Sequence, residues 1–374
     1  MPEGMAVHDV WVEVDLGALK HNLAQVRSIL PDGVRIMAVV KGNGFGHGYV
    51  EPSRAFVEAG ADALAVTRIE EALPIRAAGI TAPILLFAPI QPENAATAVE
   101  HRLDVTITSV PLLRALSEAA VGLGTSARVH IKVDTGMGRL GLSPEDVPSV
   151  VQAATDLPGI EIAGVYTHFA TAAEADALPS FRQLDTFTRV VSGLREMRFQ
   201  IGLVHAANSA AILRIPAAHL DMVRPGTLLY GQYPSAHVPR RLDLKPTWRL
   251  KARVCEVKDL PIGSSVGYGG EYVTARPTRI AIVPVGYADG FTLVPEGPVY
   301  RQGLLRFAAR RFRRSLELEI KGLKVPVVGR VAMQMTAIDV TRVGEVRVGD
   351  EVTIPALRVP TNALIPRVYV DSAS

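Results

Sequence analysis

One pattern of apolar and polar positions repeats along residues 34–231. Short β-branched runs end in a polar or glycine turn, and segments whose apolar residues have helical spacing lie between them. The runs predict eight strands, at 34–41, 63–68, 83–88, 105–108, 128–134, 162–169, 203–209 and 222–231. The helical segments lie at 16–30, 51–59, 69–78, 92–101, 110–120, 143–156 and 179–198. This α/β pattern favours a (β/α)8 barrel of the TIM type, with a doubly wound open sheet as the alternative.

The pattern changes after residue 240, where helical spacing disappears. Alternating or β-branched runs, separated by Gly and Pro, occupy 249–257, 278–285, 316–320 and 325–340. They predict a second, all-β domain. A strand-like segment at 10–14 precedes the barrel pattern, and packing with the C-terminal domain is favoured over joining the barrel. The predicted organisation is a strand segment at 1–14, a barrel at 15–240 and a β domain at 241–374.

Composition narrows the class of protein. Of 374 residues, 48% are apolar and 21% are charged, which excludes a disordered tail, a collagen-like repeat and a coiled coil. The single cysteine, Cys255, excludes an intrachain disulfide. No secretory signal is apparent, and no apolar stretch approaches the ~20 residues that cross a bilayer. We therefore expect a cytoplasmic protein without a membrane partner.

The formal net charge of +3 and the sequence pI of about 9.0 come from one segment. Residues 301–314 contain six Arg and no acidic residue, and without them 34 basic residues face 37 acidic ones. Arg side chains at this density suit contacts with nucleic-acid phosphates. A solvated surface segment is the favoured interpretation, so no nucleic-acid partner is expected.

Polar side chains stand where the predicted barrel strands end. Chemistry in such barrels takes place at the C-terminal ends of the strands. Arg224 falls in an apolar strand, and a buried guanidinium needs a partner. A lone Lys or His at a strand end is commonly structural, but convergence of the whole set on one face points to a site. The set is Lys41, Lys132, Asp134, Arg139, His168, Asn208, Ser209 and Arg224.

A lysine in this setting suggests a Schiff base, and amine chemistry of this kind commonly uses pyridoxal 5'-phosphate. Ser209 and Gly226 follow the seventh and eighth strands, where barrels commonly bind phosphate. The glycines at 42–48 do not have dinucleotide-binding spacing. The sequence contains neither H-E-x-x-H nor C-x-x-C, so no metal site is predicted.

Seven segments in order resemble the motifs of alanine racemases. They are V-V-K-G-N-G-F-G-H-G (39–48), K-V-D-T-G-M-G-R-L-G (132–141), T-H-F-A (167–170), H-A-A-N-S-A-A (205–211), V-R-P-G (223–226), S-V-G-Y-G (265–269) and V-G-Y-A-D-G (285–290). The resemblance implies a fold type III enzyme that uses pyridoxal 5'-phosphate, with a barrel, a β domain and a head-to-tail homodimer. It also implies interconversion of L- and D-alanine, the latter a peptidoglycan precursor.

Two alternatives remain at this point. One is a racemase of broader specificity that takes serine or other small amino acids. The other is a non-catalytic protein that binds pyridoxal phosphate on the same barrel, a class that lacks the β domain and that the chain beyond residue 240 argues against.

The resemblance implies roles for residues that support catalysis. Lys41 matches the lysine that binds the cofactor covalently, and Tyr268 matches the second catalytic base, which enters from the partner subunit. Arg224 matches the arginine that faces the pyridine nitrogen, and His168 lies between that arginine and the tyrosine. Lys132 matches a lysine that is often carbamylated and then orients an arginine.

The resemblance also implies binding roles. Arg139 matches an arginine near the phenolic oxygen of the cofactor, and it is expected to act in both catalysis and substrate binding. Met333 matches a residue whose backbone meets the substrate carboxylate, and Tyr287 matches a tyrosine of the entrance. The positions expected to bind the phosphate are Asn208, Ser209, Gly226 and Thr227.

Several positions depart from the family pattern. Phe45 replaces a tyrosine that contacts the phosphate, and the chain near Tyr369 lacks a segment with a second such tyrosine. We therefore expect weaker or rearranged phosphate contacts. In the entrance Arg330 is retained, but Gln334 replaces an acid, and Ala173 and Leu293 stand where the family often has Asp and Arg. These changes put strict alanine specificity in doubt. Residues 294–320 are longer than the family norm and carry the arginine-rich segment.

Overall fold

Two units make up the part of the chain that the structure, a computed structural model, describes: residues 8–293 and 316–372. The barrel unit contains Asp15–Thr247 together with residues 371–372. The β unit contains residues 8–14 and the described residues of Trp248–Val370. The arginine-rich segment 301–314 lies outside the described residues.

After a first strand, β1 (Val10–Asp15), which belongs to the β unit, eight parallel strands close into a barrel. Each strand pairs with the next along the chain, and the last pairs with the first through Ile36 and Val223. Closure confirms the predicted barrel and excludes the open sheet. The strands are β2 (Arg35–Val39), β3 (Ala63–Val66), β4 (Ile84–Leu86), β5 (Leu103–Ile107), β6 (Ala127–Lys132), β7 (Ile160–Tyr166), β8 (Leu203–Asn208) and β9 (Met222–Arg224).

Right-handed helices alternate with the barrel strands, each with an apolar stripe against the barrel. The first begins after Asp15, whose carboxylate accepts a hydrogen bond from Ala18 N at 2.9 Å. The sixth begins at Val147 rather than at 143, because Ser143 and Asp146 form a hydrogen-bonded turn before it. The helices are α1 (Leu16–Arg27), α2 (Val50–Glu58), α3 (Ile69–Ala77), α4 (Ala95–Glu100), α5 (Val110–Gly122), α6 (Val147–Asp156), α7 (Leu178–Glu196) and α8 (Ser209–Arg214).

The eighth barrel strand is shorter than predicted. It ends at Arg224 rather than at 231, because Pro225 has no N–H to offer a sheet and Thr227–Tyr230 form a 3-10 turn. Gly231 closes that turn with φ 75°, and a Cβ there would lie 2.2 Å from Lys245 O. Arg224 is therefore the last residue of its strand, at the C-terminal end of the barrel.

The β unit contains a nine-stranded sheet in the order β11-β14-β17-β16-β15-β18-β10-β1-β19, and a separate β12-β13 hairpin. In this sheet β1 pairs with β10, with Val12 opposite Leu250. The all-β prediction is confirmed. The strands are β10 (Trp248–Arg253), β11 (Glu256–Leu260), β12 (Ser265–Val266), β13 (Tyr272–Val273), β14 (Thr278–Val283), β15 (Glu317–Ile320), β16 (Leu323–Val328), β17 (Thr336–Asp339), β18 (Glu351–Ile354) and β19 (Arg367–Val370).

Two predicted runs each split into a pair of strands. The run at 249–257 breaks after Arg253, and the chain then pairs with a different neighbour in the sheet. The run at 325–340 breaks at Gly329, whose φ is 72° and whose Cβ would lie 2.6 Å from Val266 O. Residues 329–335 consequently form a loop instead of a strand, and this loop carries Arg330 and Met333.

Gly202, which leads into β8, provides a test of how tightly the barrel is built. Its φ is 61°, and a Cβ would lie 2.3 Å from Ala163 O. We expect Gly202→Ala to lower the free energy of unfolding by at least about 2 kcal/mol, because strain and a backbone clash add. Urea unfolding followed by circular dichroism measures the change.

Gly193→Ala is the matched control, since Gly193 lies within α7 with nothing within 4 Å of its Cβ position. It should raise stability by up to about 1 kcal/mol. Equal urea midpoints for the two variants would contradict the strain at Gly202.

Candidate active site

Lys41 follows β2 at the start of a left-handed turn. The φ angles of the next four residues, Gly42 to Phe45, are 63°, 56°, 57° and 52°. The carboxylate of Glu71, on α3, accepts hydrogen bonds from Gly42 N at 2.8 Å and from Thr67 N at 2.6 Å. Glu71 thus ties the turn after Lys41 to the end of β3. Sequence reasoning missed Glu71, whose only signal is its place in the first turn of a helix.

Two adjoining cavities of about 280 Å³ each lie among the residues that follow the barrel strands. Both are lined by Lys41, Phe87, His168 and Arg224. The structure thereby brings together the barrel residues predicted for the site. Lys132 and Arg139 line one cavity, and the other is lined by Asn208, Ser209, Gly226 and Thr227.

Positive charge dominates these cavities. Burial lowers the pKa of Lys41, and the nearby Arg139 lowers it further. Burial, followed by Arg224 and Arg139, lowers the pKa of Lys132 to about 7. The same two influences, burial and then Arg224, hold the pKa of His168 well below 6.5. No Asp or Glu is among the lining residues of either cavity, so the site suits an anionic ligand.

Arg224 is 3% exposed, and its guanidinium is held on several sides. Nη2 donates to Thr167 O at 2.7 Å and to Ala206 O at 3.1 Å, and it lies 3.3 Å from His168 Nδ1. Nη1 donates to His205 Nδ1 at 2.8 Å. Burial lowers the Arg224 pKa to about 10, so the side chain stays charged near neutrality.

Tyr166 forms the floor of the site, a role that the sequence did not suggest. Its ring stacks on His205, with centroids 4.9 Å apart, and Lys132 Nζ lies 4.7 Å from the ring centroid. Its hydroxyl lies 2.7 Å from Thr106 Oγ1. Burial raises the Tyr166 pKa to about 12, so the phenol remains protonated.

The loop that carries Arg139 is organised by Asp134. The Oδ1 atom of Asp134 accepts hydrogen bonds from the backbone N–H groups of Gly136, Met137 and Gly138 at 2.8–3.2 Å. Burial raises the Asp134 pKa, but these backbone donors outweigh burial and the net shift is downward. Asp134 therefore organises the loop, and its charge also raises the Lys132 pKa, against the larger effects of burial and the two arginines.

The loops after β8 and β9 form a polar cradle. Asn208 Oδ1 accepts from Ala210 N at 3.1 Å and caps α8, and Ser209 Oγ accepts from Gly226 N at 2.9 Å. Thr227 Oγ1 is buried and has no hydrogen-bond partner among residues 8–293 and 316–372. A Cβ at Gly226 would lie 3.2 Å from the Phe45 ring. An orphaned hydroxyl beside backbone donors fits the phosphate group that the sequence predicts here.

The remaining predicted residues belong to the β unit. Tyr268 follows β12, is 74% exposed, and lines a cavity of about 600 Å³ together with Arg330. Tyr287 and Met333 are 45% and 58% exposed. Their backbones are adjacent, because Ala288 N donates to Met333 O at 3.0 Å. Arg330 pairs with Glu271.

Two further features concern metal-ligating side chains and long apolar helices. Between residues 8–293 and 316–372 no group of three or more His, Cys, Asp or Glu is arranged to hold a metal ion. Within the same ranges no helix is both long and apolar enough to cross a membrane.

Lysines whose pKa is lowered by burial, in a cavity suited to an anion, are what enzymes of imine chemistry require. A cavity of this kind at the C-terminal ends of the strands is typical of the barrel class of enzymes. The family model "Alanine racemase, N-terminal domain" matches residues 14–234, and "Alanine racemase, C-terminal domain" matches 247–364. The chain belongs to the alanine racemase family.

Individual relatives support the same family assignment. The alanine racemase of Methanococcus maripaludis is 42% identical over 352 residues, which are 94% of this chain and 90% of that protein. The alanine racemase of Desulfovibrio desulfuricans is 39% identical over 345 residues, 92% of this chain and 88% of its own.

Solved structures agree as well. Alanine racemase from Clostridium difficile superposes with a TM-score of 0.89 at 31% identity, covering 98% of this chain and 97% of that one. The Bacillus anthracis enzyme with bound L-Ala-P gives 0.84 at 32% identity, with coverage of 99% and 97%. The match to both domains argues against the non-catalytic class, which lacks the second one.

The positive charge of the cavity leads to a prediction for Arg139→Gln. Because Arg139 depresses the pKa of both Lys41 and Lys132, its removal should raise both values, with Lys132 titrating clearly above about 7. Titration of ¹³C-labelled lysines by NMR in the cofactor-free protein measures this. Arg189→Gln, at an exposed ion pair on α7, is the control and should leave both lysines unchanged. A fall or no change in Arg139→Gln would contradict the proposed role of Arg139.

Proposed function

We propose that this protein interconverts L- and D-alanine with pyridoxal 5'-phosphate held in the barrel cavities. The observation that carries the proposal is the convergence of Lys41, Arg139, His168 and Arg224 on one cationic cavity beside the cradle at Thr227. Membership of the alanine racemase family supports the same reaction. The cofactor supplies an electron sink that stabilises negative charge at the substrate α-carbon.

The residues of the site fit this cofactor. Lys41 would bind it covalently, and the Thr227 hydroxyl, with Asn208, Ser209 and Gly226 around it, would hold the phosphate. Arg224 would face the pyridine nitrogen, where it offers a hydrogen bond but does not readily give up a proton. Arg139 would lie on the side of the phenolic oxygen. Carbamylation of Lys132 is consistent with its pKa of about 7, because only a neutral amine reacts with carbon dioxide.

Racemisation removes the α-proton from one face and returns a proton to the other, so two bases on opposite faces suit it. Lys41 serves one face, since its lowered pKa leaves more of its amine free near neutrality. Tyr268 serves the other. A phenol with an ordinary pKa of about 10 needs positive charge nearby to act near neutrality. Arg224, which stays charged, would provide it, with the neutral His168 ring between the two.

Incubation with L- or D-alanine in deuterated water tests the two bases. We expect Lys41→Ala to abolish racemisation and α-deuterium incorporation. Tyr268→Phe should lower racemisation by about 10²- to 10⁴-fold. It should still exchange the α-proton of the one enantiomer from which Lys41 takes it.

Lys20→Ala and Tyr272→Phe control for lost lysine and tyrosine side chains, since Lys20 is at an exposed ion pair and Tyr272 packs on the core of the β unit. No exchange with alanine or serine by the unaltered protein would exclude a racemase. Retained exchange of both enantiomers in Tyr268→Phe would remove Tyr268 from the mechanism.

We further propose a head-to-tail homodimer in which Tyr268 completes the site of the partner subunit. The 74% exposure of Tyr268 supports this, because a catalytic phenol needs a desolvated place that its own unit does not provide. Exposed apolar side chains in the same unit, Met333 and Met335, are also consistent with an interface.

The single cysteine suits action in the cytoplasm.

Co-expression of Lys41→Ala and Tyr268→Phe chains with two affinity tags tests the exchange of Tyr268. If Tyr268 enters the site of the partner subunit, one site of the purified mixed dimer lacks both Lys41 and Tyr268, and the other site has both. We expect about half of the wild-type racemase activity, although neither variant homodimer retains more than about 1% of it. An inactive mixed dimer would show that Tyr268 acts within its own chain.

A broader amino-acid racemase is the second candidate. Ala173 lines the cavity beside Thr227, where a small apolar side chain leaves room. Leu293 and Gln334 stand where the family pattern places charged groups, Arg and an acid, near the entrance. Serine in the same deuterium assay decides between the two: comparable kcat/KM values for serine and alanine would favour the broader enzyme.

A further inference from the structure

The barrel interior contains a series of buried polar side chains that the proposed reaction does not use. Asp104 on β5, His130 on β6 and His205 on β8 are 2%, 2% and 0% exposed. Titratable groups in a barrel core are costly unless every hydrogen bond is satisfied. These three side chains are connected by a series of hydrogen bonds that ends on Arg224.

The proton positions near Arg224 follow from its chemistry. A guanidinium only donates hydrogen bonds, so His205 Nδ1, at 2.8 Å from Arg224 Nη1, has to accept. A neutral imidazole then carries its proton on Nε2. Because His205 Nε2 lies 2.9 Å from His130 Nδ1, it donates to that atom.

The same logic continues to the carboxylate. His130 Nδ1 accepts, so His130 carries its proton on Nε2, which lies 3.3 Å from Asp104 Oδ2. A carboxylate only accepts, which matches this direction. Burial raises the Asp104 pKa, but His130 and Arg128 outweigh burial and keep the group ionised. One arrangement of protons therefore satisfies all of these hydrogen bonds, in which each imidazole accepts at Nδ1 and donates from Nε2.

The hydrogen-bond series begins at Asp104, at the end of the barrel opposite the cavities, where the strands start. Arg128, the second residue of β6, donates from Nε to Asp104 Oδ1 at 3.1 Å and also pairs with Glu161. Its side chain is 39% exposed, whereas the side chain of Asp104 is 3% exposed. The carboxylate is thus anchored from the solvent side and cannot turn away from His130 without losing Arg128.

We propose that Asp104, His130 and His205 are positioning residues, whose one-directional hydrogen-bond chain sets the His205 tautomer that holds Arg224 toward the cavity. If the proton of either imidazole moved from Nε2 to Nδ1, two N–H groups would face each other at 2.8–2.9 Å with no acceptor between them. Arg224 would then lose its Nη1 acceptor, and its contact with His168 would shift. The kinetic consequence rests on the proposed racemase function, but the tautomers do not.

The tautomers can be observed directly in protein labelled with ¹⁵N-histidine. We expect His205 and His130 in long-range ¹H–¹⁵N spectra as neutral rings protonated on Nε2, assigned by the signals missing from His205→Leu and His130→Leu. In His130→Leu, His205 loses the acceptor that fixes its tautomer, and its ¹⁵N pattern should change. A His205 ring protonated on Nδ1 in the unaltered protein would overturn the proposal, whether or not the protein is a racemase.

Kinetics of the holoenzyme test the consequence. We expect His205→Leu to lower kcat for alanine by about 10²-fold with KM little changed, because a misplaced group near the reacting atoms has that cost. We expect the same of His130→Leu, which acts on Arg224 through His205. His219→Leu is the matched control, since His219 is another buried histidine of the barrel unit, bonded to Ile212 O. It should leave kcat unchanged.

Two results would refute the positioning role in an active enzyme. One is a normal kcat in His130→Leu despite an altered His205 spectrum. The other is an equal loss of kcat in His219→Leu, which would mean that any cavity in the barrel has this effect. Circular dichroism confirms that each variant is folded.

Discussion

Concentration of positive charge around one cavity is the constraint around which this barrel is built. Lys41, Lys132, Arg139 and Arg224 all line the same space. Repulsion among them adds to the cost of burial for Lys132 and Arg224, which are 6% and 3% exposed. The two lysines respond by lowering their pKa, whereas an arginine stays charged and must be solvated by the protein. An anionic cofactor in this cavity would relieve the same repulsion.

The protein solvates Arg224 with neutral acceptors rather than with a carboxylate. Two backbone carbonyls and the imidazole of His205 accept its protons, and the first carboxylate on that path, Asp104, lies two imidazoles away. A direct ion pair would cancel much of the guanidinium charge that the reaction needs. Neutral acceptors keep that charge directed at the cavity. The distant Asp104 fixes the direction of the hydrogen bonds through the two imidazoles without cancelling that charge.

Much of this architecture is predictable from the sequence, because parallel barrel strands are buried on both faces and read as continuous apolar runs. Their C-terminal ends then coincide with the polar positions, which is why Lys41, His168 and Arg224 could be selected together. Strand ends were less predictable. The residues after Arg224 are apolar enough to continue a strand, and Pro225 with the tight space at Gly231 decides otherwise.

Other features could not be predicted because they depend on which strands become neighbours. Tyr166 and His205 lie in apolar strands, and only closure of the barrel stacks their rings and directs His205 at Arg224. Glu71 likewise looks like an ordinary first-turn acid until the left-handed turn at Gly42 comes within its reach. Such residues make contacts between elements that are distant in the sequence, and a local sequence pattern does not indicate those contacts.

Phe45 joins the two turns of the site by packing. Its ring packs on Tyr230 with centroids 4.7 Å apart, and the Tyr230 hydroxyl donates to Val39 O at 3.0 Å. Those contacts join the end of β2, which precedes Lys41, to the turn that begins at Thr227. The ring also closes against Gly226, where no Cβ fits without displacement. An apolar wall therefore connects the turn that begins at Thr227 to the turn that follows Lys41, so that packing, and not polar contacts alone, maintains the cradle.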